Sequence, residues 1–508
     1  MHSKGAMARR AIPSQAAIPL LAACILLAPA VHAQENSGAI QPIIAALRSQ
    51  NNSRALALCQ ELTHSQPRNP RLWTLEGMAL GGLGRNKESL ASFKRALAID
   101  PDYVPALEGA AQLQFQLSMP AAEPYLQTLV RLNPQNSTAH AMLGALAFRR
   151  KNCPLAVAHF EKSRGAISSN VLALGEFGAC LLRQDRPDAS VPVFERIVDL
   201  RPRDWHSQYN LALALFRARR YANAIRTLLP ITEGPSANAT ALNLAGAAYE
   251  SNGQTPQAVA ALRQAMALAP RDADNYLDLA TICLDHASFS VGVDVLKAGL
   301  RILPGSAPLH LELGVLLVQL GRFEDADAEF RQAAALQPAQ NAGAVALSIS
   351  LLQENKPGES LELVRRRLSR DPGDPVLNYL LAEILLRKGI QPGTPEFREA
   401  VAAAKRSVRR KPDFATAQDT LAELYLREGG ITRAAAASRL ALKADPTDQA
   451  ALYHLVICAR RGGEREQAAP LAARLARVAA AAQKRTAARD RFRLVEQGPG
   501  SRNVNSSY

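Results

Sequence analysis

The side chains best suited to chemistry are scattered along this chain. Seven histidines follow residue 33: His64, His140, His159, His206, His286, His310 and His454. None stands three or four residues from another, the spacing that would set two ligands on one helix face. The cysteines Cys24, Cys59, Cys153, Cys180, Cys283 and Cys458 include no CxxC pair, which argues against a zinc site and against a disulfide framework. Most are expected to be small, buried apolar groups. Cys153 and Cys180 fall in neighbouring stretches that could touch, and whether they pair stays open at this level. The run GMALGGLG at 77–84 has the glycine content of a phosphate loop, but no strand pattern precedes it. Zinc-protease, Walker, nucleophile-elbow and dinucleotide fingerprints do not occur. No catalytic residue, cofactor or metal is therefore assigned, and the chain is expected not to be an enzyme.

Binding chemistry shows a clearer pattern. Arg149, Arg183 and Arg217 recur every 34 residues, and Arg387, Arg427 and Arg461 hold the corresponding place later in the chain. Ser251, Asp285, Gln319 and Gln353 stand there in between, where Leu311, Val315, Val318, Val345, Ile349 and Leu352 form an apolar set. Arginine pairs bidentately with carboxylates. An apolar floor flanked by arginine ladders would thus suit an acidic or amphipathic protein segment. The plainer alternative is that these arginines complement helix C-termini and the apolar residues tighten packing.

The elements that must position these residues are set by a repeat. Boundary prolines stand at Pro67, Pro101, Pro134, Pro202, Pro270, Pro304, Pro338, Pro372, Pro412 and Pro446. Most intervals are 34 residues or its double; Ser168 and Ser236 replace proline in the doubled ones, and GIQPGTPEF at 389–397 carries a six-residue insertion. Twelve residues before each boundary stands a small residue, in the column Ala55, Ser89, Ala122, Ala156, Ser190, Ala224, Ala258, Gly292, Ala326, Ser360, Ala400 and Ala434, with Ala468 continuing it. Such a column marks a close approach of two helix backbones. Four residues on, the column is mostly large and apolar, as in Phe93, Phe160, Phe194 and Phe330. Each unit reads as two helices broken near a glycine such as Gly84 and closed by the proline.

Trp73, Gly77, Ser89, Phe93, Ala96 and Pro101, and again Leu313, Gly314, Gly321, Phe323, Ala326, Phe330, Ala333 and Pro338, resemble the tetratricopeptide repeat pattern. The resemblance implies an all-α fold, an α-solenoid of about thirteen helix-turn-helix units over 34–480, with a capping helix at 481–497 and a disordered tail at 498–508. It also implies that the first helix of each pair lines a concave surface that binds a peptide or a partner helix. The expected function is a protein-protein interaction scaffold of the cell envelope. Asn210 fits one column of the family's carboxylate clamp, but the accompanying lysines are missing, so that activity is not carried over.

Charge and the N-terminal residues bear on location. The formal net charge is +15, and residues 360–508 hold 27 basic and 16 acidic residues of it. This basic C-terminal third supplies the alternative reading, a binder of an anionic polymer or membrane surface. Nucleic acid is not the expected partner. Residues 1–33 resemble a signal peptide of an exported bacterial protein, with basic Arg9-Arg10, an apolar core from Ala16 to Val31 and cleavage expected after Ala33. Leu21-Ala22-Ala23-Cys24 has the shape of a lipoprotein box, yet seven apolar residues follow Cys24, so lipidation there is not expected. The mature chain is expected to be periplasmic or extracellular, and no later apolar run reaches the roughly 20 residues of a spanning helix.

Overall fold

The computed structural model describes residues 37–490, apart from 235 and 236. The expected leader with its cleavage site at Ala33, Cys24, and the expected tail at 498–508 lie outside the described residues. The described chain is all-α and forms thirteen successive helix pairs. It divides into two compact units, Met1–Leu229 and Pro230–Tyr508.

Local sequence explains where helices start. Asn69, Asn136, Asn170, Asp204, Asn238, Asp272, Asp374 and Asp448 each cap the first helix of a pair, their side-chain oxygens accepting a backbone N–H of the first turn. A second recurrent bond closes the preceding boundary. Trp73 Nε1 donates to the Pro67 carbonyl at 2.8 Å, and Gln208, Tyr276, Asn378 and Gln418 donate likewise to the carbonyl of the proline six residues earlier. His140 and His310 occupy this same place, Nε2 of each lying 3.0 Å from the Pro134 and Pro304 carbonyl oxygens. Their role is packing and turn closure, as the column position suggests. The turn inside most pairs passes through one left-handed residue. It is glycine at Gly84, Gly253, Gly321, Gly389, Gly429 and Gly463, but Lys151, Asp185, Arg219, Ala287 and Asn355 take the same conformation without glycine's freedom.

Packing within each pair follows from the two columns. Every member of the small-residue column from Ala55 to Ala468 is buried, and Ser89 Oγ donates to the Gly77 carbonyl at 2.6 Å. Opposite, the large residue sits on a glycine of the first helix. A Cβ built at Gly144, Gly178 or Gly314 would lie 2.8, 2.6 or 2.4 Å from the rings of Phe160, Phe194 or Phe330. The six-residue insertion lies in the turn between helices Pro375–Arg387 and Pro395–Arg410, leaving both columns in register. One helix, Arg465–Asp490, crosses residue 480 unbroken. The segment expected to start a separate cap at 481 therefore continues the second helix of the thirteenth pair.

Stacking between pairs is asymmetric. In the second unit the first helices from Ala239–Ser251 to Gln449–Arg461 each pack on the next in an unbroken row, while successive second helices make no contact of that extent. The first helices thus form the inner side of that unit and the second helices the outer side, as the resemblance implied.

The cysteines divide in two. Cys59, Cys283 and Cys458 are free and buried, and burial pushes the thiols of Cys59 and Cys283 up to about 12 and about 11, with Glu76 raising the first further and Arg263 drawing the second back. Cys153 and Cys180 instead form a disulfide, with Cα atoms 5.0 Å apart. The question that the sequence leaves open for that pair is thereby answered. Stacking brings the start of the second helix Cys153–Lys162 beside the end of the next first helix, Val171–Arg183.

Two outcomes test this packing. Gly314→Ala gains about 1 kcal/mol of helix propensity but overpacks a filled site, which costs about 1–3 kcal/mol, so urea unfolding is expected to show a net loss. Gly358→Ala, where a Cβ meets nothing within 4 Å, is expected to cause none. Cys180→Ser removes a crosslink spanning 27 residues of chain, and its thermal unfolding is expected to lose roughly 2–4 kcal/mol relative to the oxidised protein. Addition of a thiol reductant should reproduce that loss in the parent chain and leave the variant unmoved.

Candidate functional site: the inner face of the first helices

The arginine ladder of the first unit ends three first helices, and Arg149, Arg183 and Arg217 are all exposed there. Each has company. Arg149 lies close enough to Glu176 to oppose the rise that burial imposes on its pKa. Arg183 stands over the Phe148 ring at 5.6 Å, and Arg217 pairs with Asp185 at 3.4 Å. In the second unit Arg387 pairs with Glu383 at 2.9 Å and Arg427 with Glu423 at 2.6 Å, one helical turn back, while Arg461 is exposed. These are ladders of partly neutralised arginines rather than bare positive rows.

The apolar set sits on two adjacent first helices, Ala307–Gln319 and Ala342–Gln353. Leu311, Val315 and Val318 are half-buried against a core that includes Leu313, Leu316 and Phe330. Val345 is half-buried against the next core, and Ile349 is 43% exposed. Leu352 differs from expectation. It is buried at 9% exposure within the core of Leu361, Val364 and Leu377, because it ends its helix facing its own partner helix.

A row of carboxylates was missed. Glu108, Glu176 and Asp278 each stand fourteen residues before the small-residue column, and Asp419 one place earlier. Burial raises Glu108 and Asp278, with hydrogen bonds from Asn136 and Asn243 opposing it; Asn243 Nδ2 donates to Asp278 at 2.7 Å. Burial pushes Glu176 up to about 7 against the pull of Arg149. Asp419 is pushed up to about 6 by burial, with Asp448 raising it further and His454, 3.8 Å away, opposing. The column spacing was the signal available for them.

Histidines pair across helices. His140 Nδ1 lies 2.9 Å from His159 Nδ1, and since His140 Nε2 carries the proton given to Pro134, His159 is the donor between the rings. His286 Nε2 lies 2.8 Å from Glu250 and His310 Nδ1 2.5 Å from Glu329. Among the described residues, no group of three or more His, Cys, Asp or Glu side chains is placed to hold a metal ion, and no helix is long and apolar enough to cross a membrane.

A tetratricopeptide repeat model matches residues 43–104, 118–170, 181–238 and 311–375, and another of the same description matches 239–272. Together these segments span more than half of the chain. Over 82 residues, 16% of this chain and 12% of the relative, it is 34% identical to protein NPGR1 of Arabidopsis thaliana. Over 291 residues, 57% of this chain and 51% of the relative, it is 24% identical to anaphase-promoting complex subunit 7 of Arabidopsis thaliana. The chain spans about half or less of the length of these curated relatives. Among solved structures, yeast Tom70 is 16% identical over 89% of this chain and 93% of its own, with a TM-score of 0.43. The Cut9-Hcn1 hetero-tetramer of the APC/C is 11% identical over 83% and 96%, with a TM-score of 0.36.

The Glu176 carboxyl generates a pH dependence. An unfolded glutamate loses its proton near pH 4.3, whereas the folded group keeps it to about 7. Between these values the folded chain binds the extra proton, so stability falls as pH rises through the window and levels off above it. Glu176→Gln is expected to unfold with roughly 3–4 kcal/mol more stability than the parent at about pH 8 and with nearly equal stability at about pH 4, read by thermal melts at both.

Proposed function

The chain belongs to the tetratricopeptide repeat family, and on that premise we propose that it is a non-enzymatic protein-interaction scaffold of the cell envelope. Its first helices receive an amphipathic segment of a partner protein. The observation that carries this reading is the run of half-exposed apolar side chains Leu311, Val315, Val318, Val345 and Ile349 on adjacent inner helices. In water these groups are left incompletely covered, and an apolar strip on a partner segment would finish their burial at roughly 25 cal/mol per Å². The exposed Arg–carboxylate pairs support it as well. Such pairs contribute about 0–1 kcal/mol, so Arg217, Arg387 and Arg427 can exchange their own carboxylates for a partner's at little cost.

Export is the second part of the proposal. The apolar run from Ala16 to Val31, followed by Ala33 and the polar QENSG, supports a cleaved leader and a periplasmic or extracellular mature protein without a lipid on Cys24. The Cys153–Cys180 disulfide supports the same location, because such bonds persist in oxidising compartments and are rare in reducing ones.

The test uses two variants carrying an affinity tag, Val315→Asp with Ile349→Asp, and Arg149→Glu with Arg183→Glu and Arg217→Glu. Affinity capture from the envelope fraction followed by mass spectrometry is expected to lose its main co-eluting protein with the apolar variant, and to weaken it about tenfold with the arginine variant. Identical partner lists for parent and both variants would defeat the groove reading.

A further inference from the structure

The excess basic charge of the last third is not in the groove. It lies on the second helices, the outer side of the second unit. Helix Ile431–Ala444 has the sequence ITRAAAASRLALKA and contains no acidic residue, and in Pro395–Arg410 the only acids, Glu396 and Glu399, fall in the first five residues. Lys405 and Arg409, and again Arg439 and Lys443, are spaced by one helical turn and exposed. The repeat places 405 beside 439 and 409 beside 443, so the four cations share one face across two neighbouring helices. Arg477 extends the row on helix Arg465–Asp490. There an open hollow of about 420 Å³ is lined by Thr447, Arg474, Arg477, Val478 and Ala481, with Arg474 held by a 2.8 Å bond to the Pro446 carbonyl.

We propose that this outer face docks on an anionic phospholipid bilayer, with the arginines and lysines at the headgroup phosphates and Leu440 entering the acyl boundary. Leu440 decides between polyanions. It is 49% exposed, between Arg439 and Lys443, on a face otherwise lined by small alanines such as Ala402 and Ala436. A nucleic-acid backbone offers no apolar slot for such a side chain, and no aromatic residue is exposed on these two helices for a base to stack on, since Phe397 and the Tyr425 ring beneath Lys405 are buried. A bilayer interface buries the leucine and neutralises its cationic neighbours together. The hollow beside Arg474 and Arg477 pairs two guanidinium groups and a hydroxyl with apolar Val478 and Ala481, the combination that a phosphate linked to an acyl chain presents. Docking through the outer side leaves the inner side open, so this surface is independent of the groove reading.

The test is flotation of the full chain with vesicles of phosphatidylcholine, alone or mixed with phosphatidylglycerol. The chain is compared with the variant Lys405→Gln, Arg409→Gln, Arg439→Gln, Lys443→Gln, and with Leu440→Ser. The parent is expected to prefer the anionic vesicles and to lose that preference as salt rises. The quadruple variant should weaken anionic binding on the order of a hundredfold, and Leu440→Ser several-fold at fixed salt, both with unchanged circular dichroism. All three chains carry the same first 36 residues, so their differences report the outer face alone. Equal binding of parent and quadruple variant overturns the proposal, as does variant-sensitive binding to duplex DNA without preference for phosphatidylglycerol. The groove variant Val315→Asp with Ile349→Asp should float as the parent does, which separates failure here from failure of the groove.

Discussion

Everything in this protein depends on how closely the two helices of a pair approach. The approach is permitted by a small residue on the second helix and, in many pairs, a glycine on the first, and it is filled by one large apolar side chain from the second. Phe330 over Gly314 is the tightest instance. Because the contact is between backbones and a ring, it fixes both the distance and the rotation of the helices. Every other side chain of the pair is thereby assigned to the interior, the inner side or the outer side. The turn chemistry follows rather than leads. Lys151, Asp185 and Arg219 accept a left-handed backbone that glycine would adopt without strain, since the helices they join are already held by packing.

That same approach separates two kinds of surface. In the second unit first helices rest on one another along the inner side, so their polar groups are drawn into contact with neighbours, and carboxylates such as Asp278 and Asp419 hold their protons more tightly. Successive second helices of that unit pack less closely, and their exposed residues gather charge that is only partly paired, as in Arg365 with Glu399 at 2.6 Å on the next second helix. The chain can therefore carry an apolar and partly acidic inner face and a cationic outer face on one backbone without either disturbing the other.

The architecture was legible in the sequence because its determinants are local and repeated. Prolines, small residues and large apolar residues at constant spacing specify thirteen pairs, and the thirteen are found. The site was legible only in part. Leu311, Val315, Val318, Val345 and Ile349 keep part of their surface open on two adjacent first helices, whereas Leu352 near the end of its helix is buried in the core. The arginines were visible, as were the carboxylates one helical turn before Arg387 and Arg427, but Asp185 lies 32 residues from Arg217 and meets it only through stacking. The disulfide was visible only as a possibility, because its cysteines occupy different columns of neighbouring units and stacking alone brings them together.

The Cys153–Cys180 bond has a consequence for how the array comes apart. A stack of repeats that touch only their neighbours melts progressively, each pair fraying when the one beside it has opened. A covalent link from one pair to the next removes the freedom that fraying would release, and merges the fourth and fifth pairs into one cooperative block. Melting that travels inward from the N-terminal pairs should halt at that block, so the oxidised protein divides its first unit into a yielding edge and a fixed anchor at the two pairs that carry Arg149 and Glu176.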